Sequence, residues 1–307
     1  AGARGILIRL IGGEAYWPYG LASVQDLARR REIALAVLPA DGRDDPRLEE
    51  VSTVPASVLR VLRRHCDQGG AVAAQAALAQ MAIASGLAAA PVEGRKTLPQ
   101  MGLWDPDHGV TDQVPQGDLA LVTFYRSWLA AADTGPVDAL IHALRARGFA
   151  AIGAFAPSLK AEGLGDWLRD TLPASPALVV NATGFSAQTQ AGTPFDGMGC
   201  PVFQVALSTN RRREWAGAER GLSPSDLAMN VVLPEVDGRI FAGVISFKAP
   251  EPRDPDLQFS RFAHRADPGL LAAAADRIAA WARLARTPAA ERRVALILST
   301  YPGRDWQ

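Results

Sequence analysis

Apolar positions along the chain fall into short continuous runs separated by stretches of helical spacing. Residues 5–11 form one such run ahead of the Gly12-Gly13 turn, and residues 33–38 form a second. Runs of this length bounded by turn residues predict buried strands. Between them Leu21, Val24, Leu27 and Ala28 recur at helical spacing, so the first forty residues predict a strand–helix–strand unit. Helices are expected over 58–64 and 70–90, the second rich in alanine, the strongest intrinsic helix former. From 91 to 116 Gly, Pro and Asp break every period, which predicts a long irregular crossing.

The alternation then resumes. Strands are expected over 119–124, 150–155, 177–180, 201–207, 239–247 and 294–299. Pro136 suits a helix start, Val137, Leu140, Ile141 and Leu144 mark its apolar face, and Gly148 suits its stop. A further helix is expected over 159–172. Ser223-Pro224-Ser225-Asp226 has the form of a capping box, and Leu271, Ala274, Ile278, Trp281 and Ala285 mark a long amphipathic helix. The expected fold is α/β, with two Rossmann-like or flavodoxin-like units whose mostly parallel sheets are flanked by helices. The first domain is placed at 1–115 and the second at 116–307. Ligands on such sheets lie beyond the strand carboxyl ends. That rule selects segments 125–134, 181–190, 208–215, 248–253 and 301–305.

Composition narrows the function classes. The 307 residues carry 32 basic and 32 acidic side chains, a formal net charge of zero. This argues against nucleic acid as a partner and against a polybasic membrane anchor. No apolar run approaches the roughly 20 residues that span a bilayer. Two cysteines, Cys66 and Cys200, cannot build a disulfide framework, and a cytoplasmic location is expected. The chain starts at Ala1 and stops at Gln307 just after an expected strand, so both ends read as cut. Only Lys96, Lys160 and Lys248 are lysines, which makes a lysine at a strand end worth noting.

Motifs for common chemistries are weak. Gly94-Arg95-Lys96-Thr97 lacks the earlier glycine of a phosphate loop, because position 89 is Ala, so ATP is not expected to bind here. No nucleophile elbow is present. Asp105, Asp107 and His108 form the only local cluster of metal-ligand types, and turn chemistry accounts for the two Asp, so no metal site is assigned. His65 and Cys66 are helix neighbours that point apart, His142 lies within a helix and His264 in a solvated loop. Arg211-Arg212-Arg213 reads as a solvated turn. The segment from Phe124 to Pro136 says most. In the plainer reading its aromatics pack and Asp133 or Thr134 caps the next helix. In the sharper one it is a pocket rim, with rings against a flat macrocycle and Arg126 forked onto a carboxylate.

Four stretches carry a resemblance: Phe124 to Pro136, Asn181-Ala182-Thr183-Gly184-Phe185-Ser186, Arg220-Gly221-Leu222-Ser223-Pro224-Ser225-Asp226-Leu227-Ala228-Met229, and Leu233-Pro234-Glu235-Val236-Asp237-Gly238-Arg239. With Leu298-Ser299-Thr300-Tyr301-Pro302-Gly303-Arg304, they resemble the cobaltochelatase and magnesium chelatase large-subunit family, in an early portion of its longer chain and closer to its cobalt branch. The resemblance implies ATP-dependent insertion of Co²⁺, as substrate, into hydrogenobyrinic acid a,c-diamide during aerobic cobalamin biosynthesis. It also implies two smaller ATPase-type subunits that use the ATP, and groups for metal handling and proton removal beyond Gln307. Within this chain Tyr125, Trp128 and Phe185 are then expected to stack on the ring. Arg126 and Lys248 would meet its carboxylates, with Ser127 beside them, and Asn181, Thr183 and Ser186 would meet its amides. The alternatives are a two-lobed small-molecule binder without catalysis and a docking scaffold for the ATPase subunits.

Overall fold

A computed structural model describes residues 2–40, 44–92, 97–219 and 221–297. By contacts the chain divides into two compact units. One holds Ala1–Gly102, Tyr125–Thr134 and Phe155–Ser158, and the other holds Leu103–Phe124, Gly135–Ala154 and Leu159–Gln307.

In the first unit β1 (Gly5–Leu10) pairs in parallel with β2 (Ala34–Pro39) across α1 (Pro18–Arg31). Strand side chains alternate between faces, and β2 is apolar on both. Leu35 and Val37 pack with Leu21, Ala28 and Leu48, using α1 and α2 (Pro46–Val51). Ala36 and Leu38 pack the other way, with Leu59, Leu62, Ala77 and Met81 of α3 (Ala56–Gln68) and α4 (Ala71–Ala84). The continuous apolar run at 33–38 is therefore a strand covered on both sides, as its pattern implied. Ser52 and Thr53 fasten its edge, donating their hydroxyls to the Leu48 and Ile33 carbonyls and accepting from the Val37 and Leu35 amides.

The larger sheet contains β3 (Gly102–Asp105), β4 (Gly109–Thr111), β5 (Leu119–Tyr125), β6 (Ala150–Ala156), β7 (Leu178–Asn181), β8 (Val202–Ser208), β9 (Ile240–Pro250) and β10 (Phe262–Ala266). Their order is β10-β9-β8-β7-β5-β6-β3-β4. The β5–β7, β7–β8 and β8–β9 pairs are parallel, and β9–β10 and β3–β4 are antiparallel. The connecting helices are α5 (Arg126–Ala130), α6 (Gly135–Arg145), α7 (Leu164–Thr171), α8 (Arg212–Gly217), α9 (Pro224–Leu227), α10 (Leu233–Val236) and α11 (Pro268–Arg286). The α11 stripe of Leu271, Ala274, Ala275, Ile278 and Ala282 is buried, and Trp281 meets Phe203 edge-on with ring centroids 6.0 Å apart. The fold is thus α/β with a mostly parallel sheet flanked by helices.

Several local expectations change. The 91–116 stretch contains the β3–β4 hairpin, whose strands are too short to show a period. Only Leu164–Thr171 of the 159–172 segment is helical, and α4 ends at Ala84. His264 lies in β10, not in a loop, with Nδ1 3.3 Å from Ser246 Oγ. Residues 292–297 are irregular, and Val294, Leu296 and Ile297 are exposed, because no strand among the described residues pairs with them. The rest of that expected strand, segment 301–305, Arg220 and Lys96 lie outside the described residues. Among the described residues no helix is long and apolar enough to cross a membrane.

Candidate functional site

The first unit contains a cavity of about 910 Å³. It opens past the carboxyl end of β1, where Arg9 and Ile11 border it, as the strand-end rule requires. Leu7, Ala77 and Leu78 give it apolar walls, while His65, Cys66, Asp67, Gln100 and Ser127 bring polar atoms. Asp67 stands 3.7 Å from Arg9 and 3.5 Å from Arg63. Burial pushes the Cys66 thiol above its ordinary value, with Arg9 opposing and Asp67 adding.

Arg126 forms part of this wall, and its guanidinium is already engaged by backbone carbonyls instead of standing free for a carboxylate. Nε donates to the Pro99 carbonyl at 2.8 Å and Nη1 to the Asp67 carbonyl at 3.1 Å. Nη2 donates to the Gln68 and Leu98 carbonyls at 2.8 and 2.9 Å. One buried side chain thus ties the carboxyl end of α3 and the 98–99 segment to α5. Burial lowers its pKa, opposed by Asp67, from a value so high that the charge persists. Gly69 and Gly70 make the approach feasible. Both have positive φ, a Cβ at Gly69 would stand 2.5 Å from that of Ala130, and the Gly70 amide donates to the Ala130 carbonyl at 3.2 Å. Ser127 is exposed on the cavity wall. Tyr125 and Trp128 meet edge to face with ring centroids 5.7 Å apart.

In the second unit Asn181, Thr183 and Ser186 belong to one polar network. Register explains it: Thr123 pairs with Asn181, and Asn181 with Gln204, so β5, β7 and β8 set three polar side chains in a row. Asn181 Oδ1 accepts from Thr123 Oγ1, Thr183 Oγ1 and the Thr183 amide at 2.7, 3.0 and 3.2 Å. Its Nδ2 donates to Gln204 Oε1 and the Thr183 carbonyl at 2.7 and 2.9 Å. Arg239 continues the row, donating to Gln204 Oε1 at 3.1 Å and Asp237 at 2.6 Å, and Asp237 accepts from Ser186 Oγ at 2.5 Å. The Arg239 and Asp237 side chains are each only 1% exposed. Asn181 and Thr183 thereby spend their hydrogen-bonding capacity on one another and on the strand ends.

This network holds Phe185 outward. Phe185 is 51% exposed and has φ +66°, a left-handed conformation uncommon for a bulky residue. Its amide donates to the Met229 carbonyl at 2.7 Å, in the widened π-helical turn Ala228–Val232, and its carbonyl accepts from Arg239 at 3.3 Å. Single widened turns of this kind recur at functional sites.

Lys248 lines a different groove, with Arg211, Arg212 and Arg213. Asp105 Oδ1 accepts from the Asp107 and His108 amides, and Arg145 bridges Asp105 and Asp107 at 2.6 and 3.0 Å, so this acidic pair builds a hairpin turn. Among the described residues no group of three His, Cys, Asp or Glu is placed to hold a metal ion. The cavity residues Arg9, His65, Asp67 and Gln100 were not singled out as binding residues from sequence. The one available signal was Gly69-Gly70 between two helices, which marks a close approach.

An open, mostly parallel sheet flanked by helices, with loops at its strand carboxyl ends, defines an α/β protein. The chain belongs to the CobN/Magnesium Chelatase family, whose model matches residues 63–307. It is 36% identical to the aerobic cobaltochelatase subunit CobN of Sinorhizobium sp, covering 99% of this chain and 25% of that protein. It is 34% identical to the subunit of the same name in Pseudomonas aeruginosa, again over 99% and 25%. A magnesium-chelatase subunit of Rhodobacter capsulatus is 28% identical over 70% of this chain and 20% of its own length. The chain thus spans about a quarter of the cobaltochelatase relatives. In fold it matches the catalytic subunit of cobaltochelatase from Mycobacterium tuberculosis, with a TM-score of 0.63 and 24% identity, over 95% of this chain and 24% of that one.

Proposed function

We propose that this chain is the tetrapyrrole-holding part of the large subunit of an ATP-dependent cobaltochelatase, which inserts Co²⁺ into hydrogenobyrinic acid a,c-diamide. The observation that carries this reading is the cavity of about 910 Å³ in the first unit. Its volume lies near the top of the range for organic-ligand pockets, roughly 300–1,000 Å³. Leu7, Ile11 and Leu78 offer apolar surface to a ring face, and Arg9 offers a forked donor to a peripheral carboxylate. Arg126 acts as a positioning residue, because its donors fasten the wall. In the second unit, Asn181, Thr183 and Ser186 hold Phe185 outward through the network around Arg239.

Insertion requires Co²⁺ to shed water and the inner N–H of the ring to lose its proton. The role assigned to this chain is to bind and orient the ring in a partly desolvated site. ATP hydrolysis belongs, in this reading, to two smaller partner subunits of a cytoplasmic complex.

Ala74→Trp tests the cavity. Ala74 is exposed on α4 at the cavity wall, so an indole there fills the cavity without disturbing the core. Tetrapyrrole affinity, followed by absorbance, is expected to fall about tenfold or more, roughly 1.4 kcal/mol, with thermal stability unchanged. Unchanged affinity would remove the ring from this cavity.

A further inference from the structure

The second unit carries a groove of about 360 Å³ at the carboxyl ends of β8 and β9, and its charge is one-sided. Arg211, Arg212, Arg213, Lys248 and Arg265 line it from three elements, against a single carboxylate, Asp267. Two of these cations are already paired. Arg212 Nε donates to Asp267 at 2.7 Å, and its guanidinium lies 4.8 Å from the Trp215 ring centroid and 5.5 Å from that of Phe247. Arg265 pairs with Glu251 at 2.7 Å. Among the described residues Arg211, Arg213 and Lys248 make no ion pair. The Lys248 amide donates to the Asn210 carbonyl at 3.1 Å, which fixes the lysine's backbone against the arginine turn. Phe247, Pro250 and Pro268 give the groove apolar surface beneath these charges.

We propose that this groove is an oxyanion-binding site for a small organic ligand bearing a carboxylate or phosphate group. Two arginine forks and one ammonium, none with an acidic partner among the described residues, are the donors that such groups select. Their cationic excess is local, because the chain as a whole has zero formal net charge. The groove volume sits at the lower end of the small-molecule range, roughly 300–1,000 Å³, which suits one compact anion. Arg212, clamped by Asp267 and two rings, is a fixed wall against which the ligand seats. None of these residues lines the large cavity of the first unit, so the site stands or falls independently of the tetrapyrrole reading.

Calorimetric titration of the chain at low ionic strength, with tricarballylate in one arm and pyrophosphate in the other, tests the proposal. Saturable binding of at least one is expected, and the arm that binds more tightly assigns the class. Lys248→Glu and Arg213→Glu should each weaken it about tenfold or more, roughly 1.4 kcal/mol in binding free energy. Lys248→Gln, which leaves the fold less perturbed, should weaken it in the same direction. Arg169→Glu on α7, away from the groove lining, should leave it unchanged. No saturable binding of either anion, or an equal loss in Arg169→Glu, would overturn the proposal.

Discussion

Phe185 sits at φ +66° with half its surface in water, so it contributes little burial and carries conformational strain, commonly about 1–3 kcal/mol for such residues. Phe185→Asn should stabilise the protein by about 0.5–1 kcal/mol, because Asn tolerates the left-handed region. Urea denaturation measures the effect; a loss of stability would mean that the ring packs instead of presenting itself. Arg126 is the reverse, a buried cation that satisfies four backbone carbonyls. Arg126→Ala should destabilise the first unit by about 3 kcal/mol, and Arg126→Lys should recover only part, since an ammonium cannot reproduce the fork. Denaturant midpoints for the two variants check this, and an undisturbed Arg126→Ala protein would dismiss the clamp. The segment around Arg126 was legible as important. Its partners were not, because Asp67, Gln68, Leu98 and Pro99 lie 27 to 59 positions away along the chain.

Elements were legible where burial dictated their pattern and obscure where hydrogen bonding did. The runs that became β2, β5 and β8 are covered on both faces and read as strands without ambiguity. The β3–β4 hairpin is held instead by Asp105, which faces two backbone amides and Arg145, and no periodicity signals that. Burial alone would raise the Asp105 pKa; the Asp107 amide, Arg145 and His108 outweigh it and hold the carboxyl at about 2. An unfolded Asp titrates near 3.9, so the carboxylate stabilises the hairpin fully above about pH 4 and loses that contribution as the pH falls toward 2. Asp105→Asn should therefore melt below the unmodified protein at neutral pH, with the gap closing between about pH 4 and 2. A gap that persists at the acid end would assign the turn's stability to something other than this charge. Residues 294–297, the described part of one expected strand, show the converse limit: an apolar run is a strand only where something pairs with it.

At the scale of the whole molecule, alternation of strand and helix was enough to read an α/β fold with a mostly parallel sheet, and the motifs around Asn181 and Leu233 were enough to read the family. Strand order was not readable, since the adjacency of Thr123, Asn181 and Gln204 depends on which strands neighbour one another. The cavity was hidden for a related reason: its walls come from separate stretches of chain that look ordinary one at a time. The proposed function requires that this chain hold the tetrapyrrole by itself. Titrating the chain with hydrogenobyrinic acid a,c-diamide and following the absorbance of the macrocycle tests it most directly. A saturable spectral change with one ring bound per chain is expected; a spectrum that stays that of the free tetrapyrrole at every protein concentration would contradict the proposed function.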